Sequence, residues 1–248
     1  MWADLSASLP LQTLAVLWAG AFLGGLAAGG AGFAFGIVAS SVWLHAIAPL
    51  HATMLVVSGG LLIQIGTIWP LRRSLDLPWL WPFLLAGFIG IPIGVWLLVR
   101  ADPHALKVVL GGFLALYGGY ALLTPQLPRI SGGGRAADAL VGLFGGILGG
   151  VGGYSGVAPA IWSQFRGWTK DVARGFYQPF IVMAHVTTMA WIGVVALDRM
   201  GLVLFVIALP AMLLGAFVGW TIYGRLDERR FRQAFAALLL LSGAILIL

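Results

Sequence analysis

The sequence predicts an all-α polytopic membrane protein made of two pseudo-symmetric four-segment repeats, most simply inverted relative to one another, with the first and fifth segments bent into glycine-broken hairpins. Three observations carry this expectation. Of 248 residues, 60% are apolar and only 9% are charged, against roughly 45 to 50% and about 25% in a soluble domain. The apolar residues form long runs without the alternation of a membrane strand, which excludes a β-barrel and implies helices. The two halves of the chain also repeat each other at a nearly constant spacing.

Eight apolar runs fall at about 11–47, 52–69, 78–99, 105–123, 137–163, 175–197, 200–223 and 231–248. The first is longer than one crossing needs and contains GGLAAGGAGFAFG at 24–36. The fifth is equally long and contains GGILGGVGGYSG at 145–156. A glycine costs a helix interior about 1 kcal/mol relative to alanine, so clusters of this density should break the helix. The other six runs are close to the roughly 20 residues that one crossing takes. Thr124 to Arg135, TPQLPRISGGGR, is rich in Pro and Gly and reads as a linker. The expected organisation is a first transmembrane repeat at 1–123, a linker at 124–136 and a second transmembrane repeat at 137–248, with no soluble domain. Met1 to Pro10 holds Asp4 and no Lys or Arg, unlike the basic start of a cleavable signal, so the first segment is expected to be retained.

The repeat is read from two offsets. Gly90, Gly94, Arg100, Asp102 and Lys107 match Gly215, Gly219, Arg225, Asp227 and Arg232 at 125 residues. GGAGF at 29–33 matches GVGGY at 150–154 at 121 residues, and that offset pairs Gln64 with His185 and Thr53 with Arg174. A tandem duplication explains both. If the hairpins enter and return, the basic loop residues divide into eleven (Arg72, Arg73, Arg129, Arg135, Arg166, Lys170, Arg174, Arg225, Arg229, Arg230 and Arg232) against three (Arg100, Lys107 and Arg199). Eight full crossings would give nine against five. The sharper bias favours the inverted arrangement, with both termini outside.

Composition narrows function. The absence of cysteine removes disulfides, thiolate metal sites and cysteine nucleophiles. The net charge of +6 is spread over loops between apolar runs, which suits lipid head groups and not a nucleic acid. All eight acidic residues read as loop or segment-end positions, which disfavours a cation transporter. No cofactor or metal is expected. A helix broken at membrane depth offers unpaired N–H groups and the positive end of a dipole to an anion. Gly29, Gly30, Gly32, Gly152, Gly153 and Gly156 are therefore candidate substrate positions, and Gly90/Gly94 and Gly215/Gly219 read as helix-packing pairs. Gln64 and His185 are polar residues in mid-segment, suited either to substrate or to an interhelical hydrogen bond. His185 titrates in the working pH range and could also carry a coupling proton. Arg174 and Gln178 lie one turn apart at the start of the sixth segment. Arg174 could hold an anion such as a sulfonate or carboxylate bidentately or anchor the helix end; Arg166 and Lys170 read as solvated loop charges.

The stretch from Gly145 to Phe180, GGILGGVGGYSGVAPAIWSQFRGWTKDVARGFYQPF, resembles the repeated signature of the sulfite exporter TauE/SafE family. Its marks are a glycine run, a following proline (Pro159), a small polar loop and a helix that carries Gln-Pro. Through the duplication the resemblance covers nearly the whole chain, although GGAGFAFGIVASS in the first half lacks the proline. The resemblance implies a multi-pass inner-membrane exporter of sulfur-containing anions such as sulfite or organosulfonates, sulfoacetate among them. Its partners would be a small anionic substrate and the lipid bilayer, with a homodimer allowed but not required. Two rival readings are a passive anion channel and a rhomboid-like intramembrane serine protease, the latter suggested by Gly153-Tyr154-Ser155-Gly156 and His185. Ser155 aligns near Ala34 in the first half, which argues against a nucleophile. Tyr154 and Ser155 join the candidate substrate positions because they occupy the second glycine break.

Overall fold

The computed structural model of the chain describes residues 10–68, 77–124, 127–196 and 198–247; Arg72 and Arg73 of the charge tally lie outside the described residues. Among the described residues the chain forms ten helices: α1 (Leu11–Ala31), α2 (Phe35–Trp43), α3 (Pro49–Ile68), α4 (Leu77–Arg100), α5 (Pro103–Leu123), α6 (Gly134–Gly152), α7 (Val157–Arg166), α8 (Lys170–Ala196), α9 (Arg199–Tyr223) and α10 (Glu228–Ile247). Seven of these, α1, α3, α4, α5, α6, α9 and α10, are long and apolar enough to cross a membrane. The long helix outside that set is α8, which buries Arg174, Gln178, His185, Thr187 and Thr188. Large apolar side chains face outward instead: Leu116 of α5 and Phe217 of α9 are 77% and 69% exposed, as a surface meant for lipid permits.

The glycine clusters break the helices at single residues. α1 ends at Gly32, φ +83°, and α6 at Gly153, φ +76°. This left-handed backbone reverses the chain and costs a residue with a β-carbon about 1–2 kcal/mol. The returning arms α2 and α7 have nine and ten residues; at about 1.5 Å per residue they recross only about half of a hydrocarbon core near 30 Å thick. The two tips meet: a Cβ on Gly36 would lie 3.0 Å from Gly153 O, and one on Gly156 would lie 2.6 Å from Phe33 Cβ.

Other glycines set helix against helix. α1 and α9 run parallel in one seam, where a Cβ on Gly29 would stand 2.2 Å from Ala216 O and one on Gly219 2.1 Å from Leu26 O. α4 and α6 form a second parallel seam, with Gly90 against Leu143 O, Gly94 against Ile147 O and Gly146 against Gly87 O. α3 and α8 are antiparallel, since Gly60 meets His185 while Thr67 meets Gln178. α5 and α10 are antiparallel as well, with Gly111 against Gly243 and Gly118 against Ala236.

Three charges differ from expectation. α6 begins three residues earlier than the apolar run, so Asp138 falls inside its second turn and is buried, accepting from Trp162 Nε1 at 3.0 Å. Arg166 is drawn in with it, 3.5 Å from that carboxylate and stacked 5.0 Å from the Trp162 ring, and it also donates to the linker carbonyl of Ile130 at 3.1 Å. It is thus a structural ion pair and not a solvated charge. Lys170 is not a solvated charge either: its Nζ donates to Leu226 O at 2.5 Å and lies 4.7 Å from the Tyr223 ring, while its N–H donates to Glu228 at 3.1 Å, tying α8 to α10.

At the other end Asp198 caps α9 by accepting from Gly201 N at 2.7 Å and pairs with His51 of α3 at 3.0 Å. The Gly201 N–H, followed by His51, holds the Asp198 carboxyl below its ordinary value. A depressed carboxylate contributes stability above its unfolded pKa and loses it as pH falls through the folded value. Asp198→Ala is expected to cost about 1 kcal/mol, the usual value of a helix N-cap. Asp198→Asn should retain the cap but lose the acid dependence, and thermal melts at neutral and acid pH will separate the two contributions.

Candidate functional site

The candidate residues gather into two polar clusters, one at each hairpin break. The first is built from the end of α1, the second half of α3 and the start of α8. Gln64 Nε2 donates to Gly32 O at 2.6 Å, and Gln178 Nε2 donates to Thr67 Oγ1 at 3.1 Å. Arg174 Nη2 donates to Gly29 O at 2.9 Å and Ala28 O at 3.3 Å, and Tyr177 Oη donates to Ala31 O. The Arg174 guanidinium lies against the ring of Trp220 at 4.9 Å and of Tyr223 at 4.1 Å. Tyr223 in turn donates to Asp171.

Arg174 is wholly buried. Its contacts explain this position. Four carbonyls at the end of a helix have no partner in the helix and carry about half a negative charge. Arg174 meets Gly29 O among them and also Ala28 O, which accepts from Gly32 N at 2.7 Å as well, and two aromatic faces add cation–π attraction. These partners offset only part of a full positive charge. Among the described residues no carboxylate lies within ion-pair distance of Arg174, and its Nε and Nη1 have no hydrogen-bond partner. A Cβ on Gly32 would lie 2.6 Å from that Nε, so the turn is open to the guanidinium only because it is glycine.

The second cluster surrounds the α6–α7 turn. His185 Nε2 lies 3.2 Å from Gly153 O, which makes Nε2 the protonated nitrogen, and Nδ1 has no partner. Ser155 Oγ and Thr188 Oγ1 are buried and also without partners. Ser155 therefore makes no hydrogen bond to His185, and the pair is not set as a nucleophile and base. Along α8, eleven residues separate Arg174 from His185, a rise of about 16 Å, so the clusters stand at different depths.

The remaining candidates take several positions. Gly29 packs in the α1–α9 seam, and only its carbonyl faces the cluster. Gly30 turns the other way, into a lateral groove, with the nearest atom 3.7 Å from an added Cβ. Gly152 accommodates the Tyr154 ring and Gly156 lies against Ile181 and Phe33. Tyr154 lines a cavity of about 40 Å³ at the opposite end from Arg174, together with Thr53 and Lys107. Both short arms start without a side-chain cap, α2 after Ala34 and α7 after Gly156. The first N–H of α7, on Val157, donates to Tyr154 O at 3.1 Å within the turn. Thr67, Tyr177, Trp220 and Tyr223 belong to the first cluster but were not singled out from the sequence. The only available signal was the i, i+3 spacing of Trp220 and Tyr223, which an interfacial aromatic pair would share.

The family model described as Sulfite exporter TauE/SafE matches residues 17–246. No curated protein and no solved structure matches the chain.

Proposed function

The chain belongs to the sulfite exporter TauE/SafE family, and from that premise we propose that it is a secondary transporter that exports sulfite or a small organosulfonate, such as sulfoacetate, across a bacterial-type inner membrane. The observation that carries this reading is Arg174: a guanidinium buried in a membrane protein with two unpartnered nitrogens, Nε and Nη1, and no carboxylate within ion-pair distance among the described residues. An uncompensated buried charge is costly, and a small anion completes it. The three oxygens of a sulfonate match the free N–H groups of Arg174 and the uncapped start of α2, three residues beyond Gly32. Gly32, Gln64, Arg174 and Gln178 form the substrate site in this reading. Gly153, Ser155, Gly156 and His185 form its counterpart at the second break, with Gly30, Gly152 and Tyr154 beside the two turns and Gly29 contributing its carbonyl.

The proposed architecture is an inverted repeat, 1–123 and 137–248 joined by 124–136. Gln64 bound to Gly32 O and His185 bound to Gly153 O occupy matching places at the 121-residue offset, and the matching helices α3 and α8, like α5 and α10, are antiparallel. Alternating access would then exchange the environments of the two clusters.

Liposomes containing purified protein should release or take up labelled sulfite or sulfoacetate at a saturable, gradient-dependent rate; ohmic currents far above carrier turnover would instead indicate a channel. The topology is tested in the cysteine-free background with single cysteines at His104 and Arg229. They should label from opposite sides, and labelling from one side would show the halves to be parallel.

A further inference from the structure

A second site is suggested by a groove that shares only Gly30 with the transport reading. Between α1, α2, α9 and α10 lies an apolar groove of about 470 Å³, walled by Leu26, Ile222, Phe231, Leu238 and Ile245 among others. From Phe231 to Ile245, α10 climbs about 21 Å, more than the roughly 15 Å of one hydrocarbon leaflet, taken as half of the core. The groove thus has the length of an acyl chain lying parallel to the helix. It opens on the outer surface of a membrane protein, where lipid is the solvent.

What distinguishes this groove is its charged end. Leu226 and Phe231 form the wall there, and their chain neighbours are Arg225 and Arg230; Arg229 and Arg232 line a separate cavity with Tyr117 and Gln164. All four arginines are exposed. Of the two nearby carboxylates, Glu228 accepts from Lys170 N. Asp227 faces Arg230 at 3.5 Å, with both side chains more than half exposed, so that pair is weak and open to competition. Two exposed guanidinium groups, Arg225 and Arg230, thus adjoin the end of an acyl-sized groove, with Arg229 and Arg232 beyond them on a neighbouring cavity. The matching stretch of the first repeat carries Arg100 and Lys107 beside Asp102, half as many cations. The asymmetry gives the site to one leaflet.

We infer that this groove is a binding site for one anionic phospholipid, with an acyl chain along α10 and the phosphate on Arg225 and Arg230. The leaflet is the inner one on the charge bias used for the topology; the site itself depends only on the groove and the arginines. A zwitterionic lipid would fit the groove equally well but would bring a cationic head group toward Arg225 and Arg230. Charge therefore selects the head group and the groove holds the chain.

The test uses the full-length protein in detergent, independently of transport. Phosphatidylglycerol and phosphatidylcholine with identical acyl chains are added at matched concentrations, and bound lipid is counted by native mass spectrometry alongside thermal melts. One phosphatidylglycerol per chain should be retained with at least tenfold preference over phosphatidylcholine, and it should raise the melting temperature. Arg225→Gln with Arg230→Gln should abolish the preference. Ala234→Trp, an exposed groove-wall position where bulk fills the space without touching the core, should abolish retention. Equal binding of both lipids to all three proteins would overturn the inference, as would a dimer that forms in wild type and is lost in Ala234→Trp, since the groove would then seat a second copy. Failure of the transport assay leaves these outcomes unaffected.

Discussion

Arg174→Gln is expected to lower sulfite or sulfonate flux in liposomes by about a hundredfold while leaving the ligand-free protein at least as stable as wild type. Removing one partner from a buried charge pair costs about 3 kcal/mol or more, and about 1.4 kcal/mol is a factor of ten. In the transport cycle the pair is Arg174 and the anion, so the penalty falls on the bound state. The ligand-free protein loses two hydrogen bonds to the α1 terminus but is also relieved of a buried charge without an ion-pair partner. Replacing such a charge with a neutral group is often neutral or stabilising. Arg174→Lys should be intermediate, because it keeps the charge and loses the planar stack on Trp220 and Tyr223. The decisive measurement is stabilisation by added sulfite: wild type should gain melting temperature in proportion to occupancy, and Arg174→Gln should gain none. If Arg174 were only a cap for α1, its replacement would lower the ligand-free melting temperature and leave the response to sulfite intact.

Gly219→Val should have the largest effect on folding. The added Cβ would lie 2.1 Å from Leu26 O and 2.8 Å from Gly30 N, both backbone atoms of α1 that cannot rotate away. Overpacking usually costs about 1–3 kcal/mol where side chains can adjust; here the α1–α9 seam itself must open. Gly146→Val at the α4–α6 seam, 2.1 Å from Gly87 O, should behave alike. Two controls set the scale. Gly112 has no atom within 4 Å of an added Cβ and Gly30 has only Gly219 O at 3.7 Å. Alanine at either should be neutral or stabilise by about 0.5–1 kcal/mol through better helix propensity. Monodispersity and melting temperature in detergent decide the matter, and a Gly219→Val protein as stable as wild type would rule out seam packing as the role of these glycines.

The contrast between Gly29 and Gly30 shows how far the sequence could be read. Both belong to one cluster, and both were expected near substrate on the strength of glycine density. Density does predict that a helix will break, because each glycine weakens it by a similar amount wherever it stands. Which glycine becomes the left-handed residue, which packs in a seam and which faces a groove depends on the helix opposite. For Gly29 that helix is α9, nearly two hundred residues away in the chain. Asp138 shows the same limit on a smaller scale: it read as a segment-end charge, and an earlier helix start moved it into contact with Trp162.

The sequence by itself determined that the chain is a helical membrane protein, where its helices break and that its halves share a pattern, since these follow from apolar content, glycine density and spacing along the chain. The resemblance around Gly145 to Phe180 was equally available, being carried by local motifs, and the family match over residues 17–246 agrees with it. The environment of Arg174 was decided only in three dimensions. From the sequence it could be an anchor at a helix end or an anion ligand, because both roles place arginine one turn into a helix. α9 brings Trp220 and Tyr223 against it, and α1 presents the carbonyls of Ala28 and Gly29. Burial of a charge is a property of what surrounds it, and the hydrogen-bond and ring partners of Arg174 all come from helices remote in sequence.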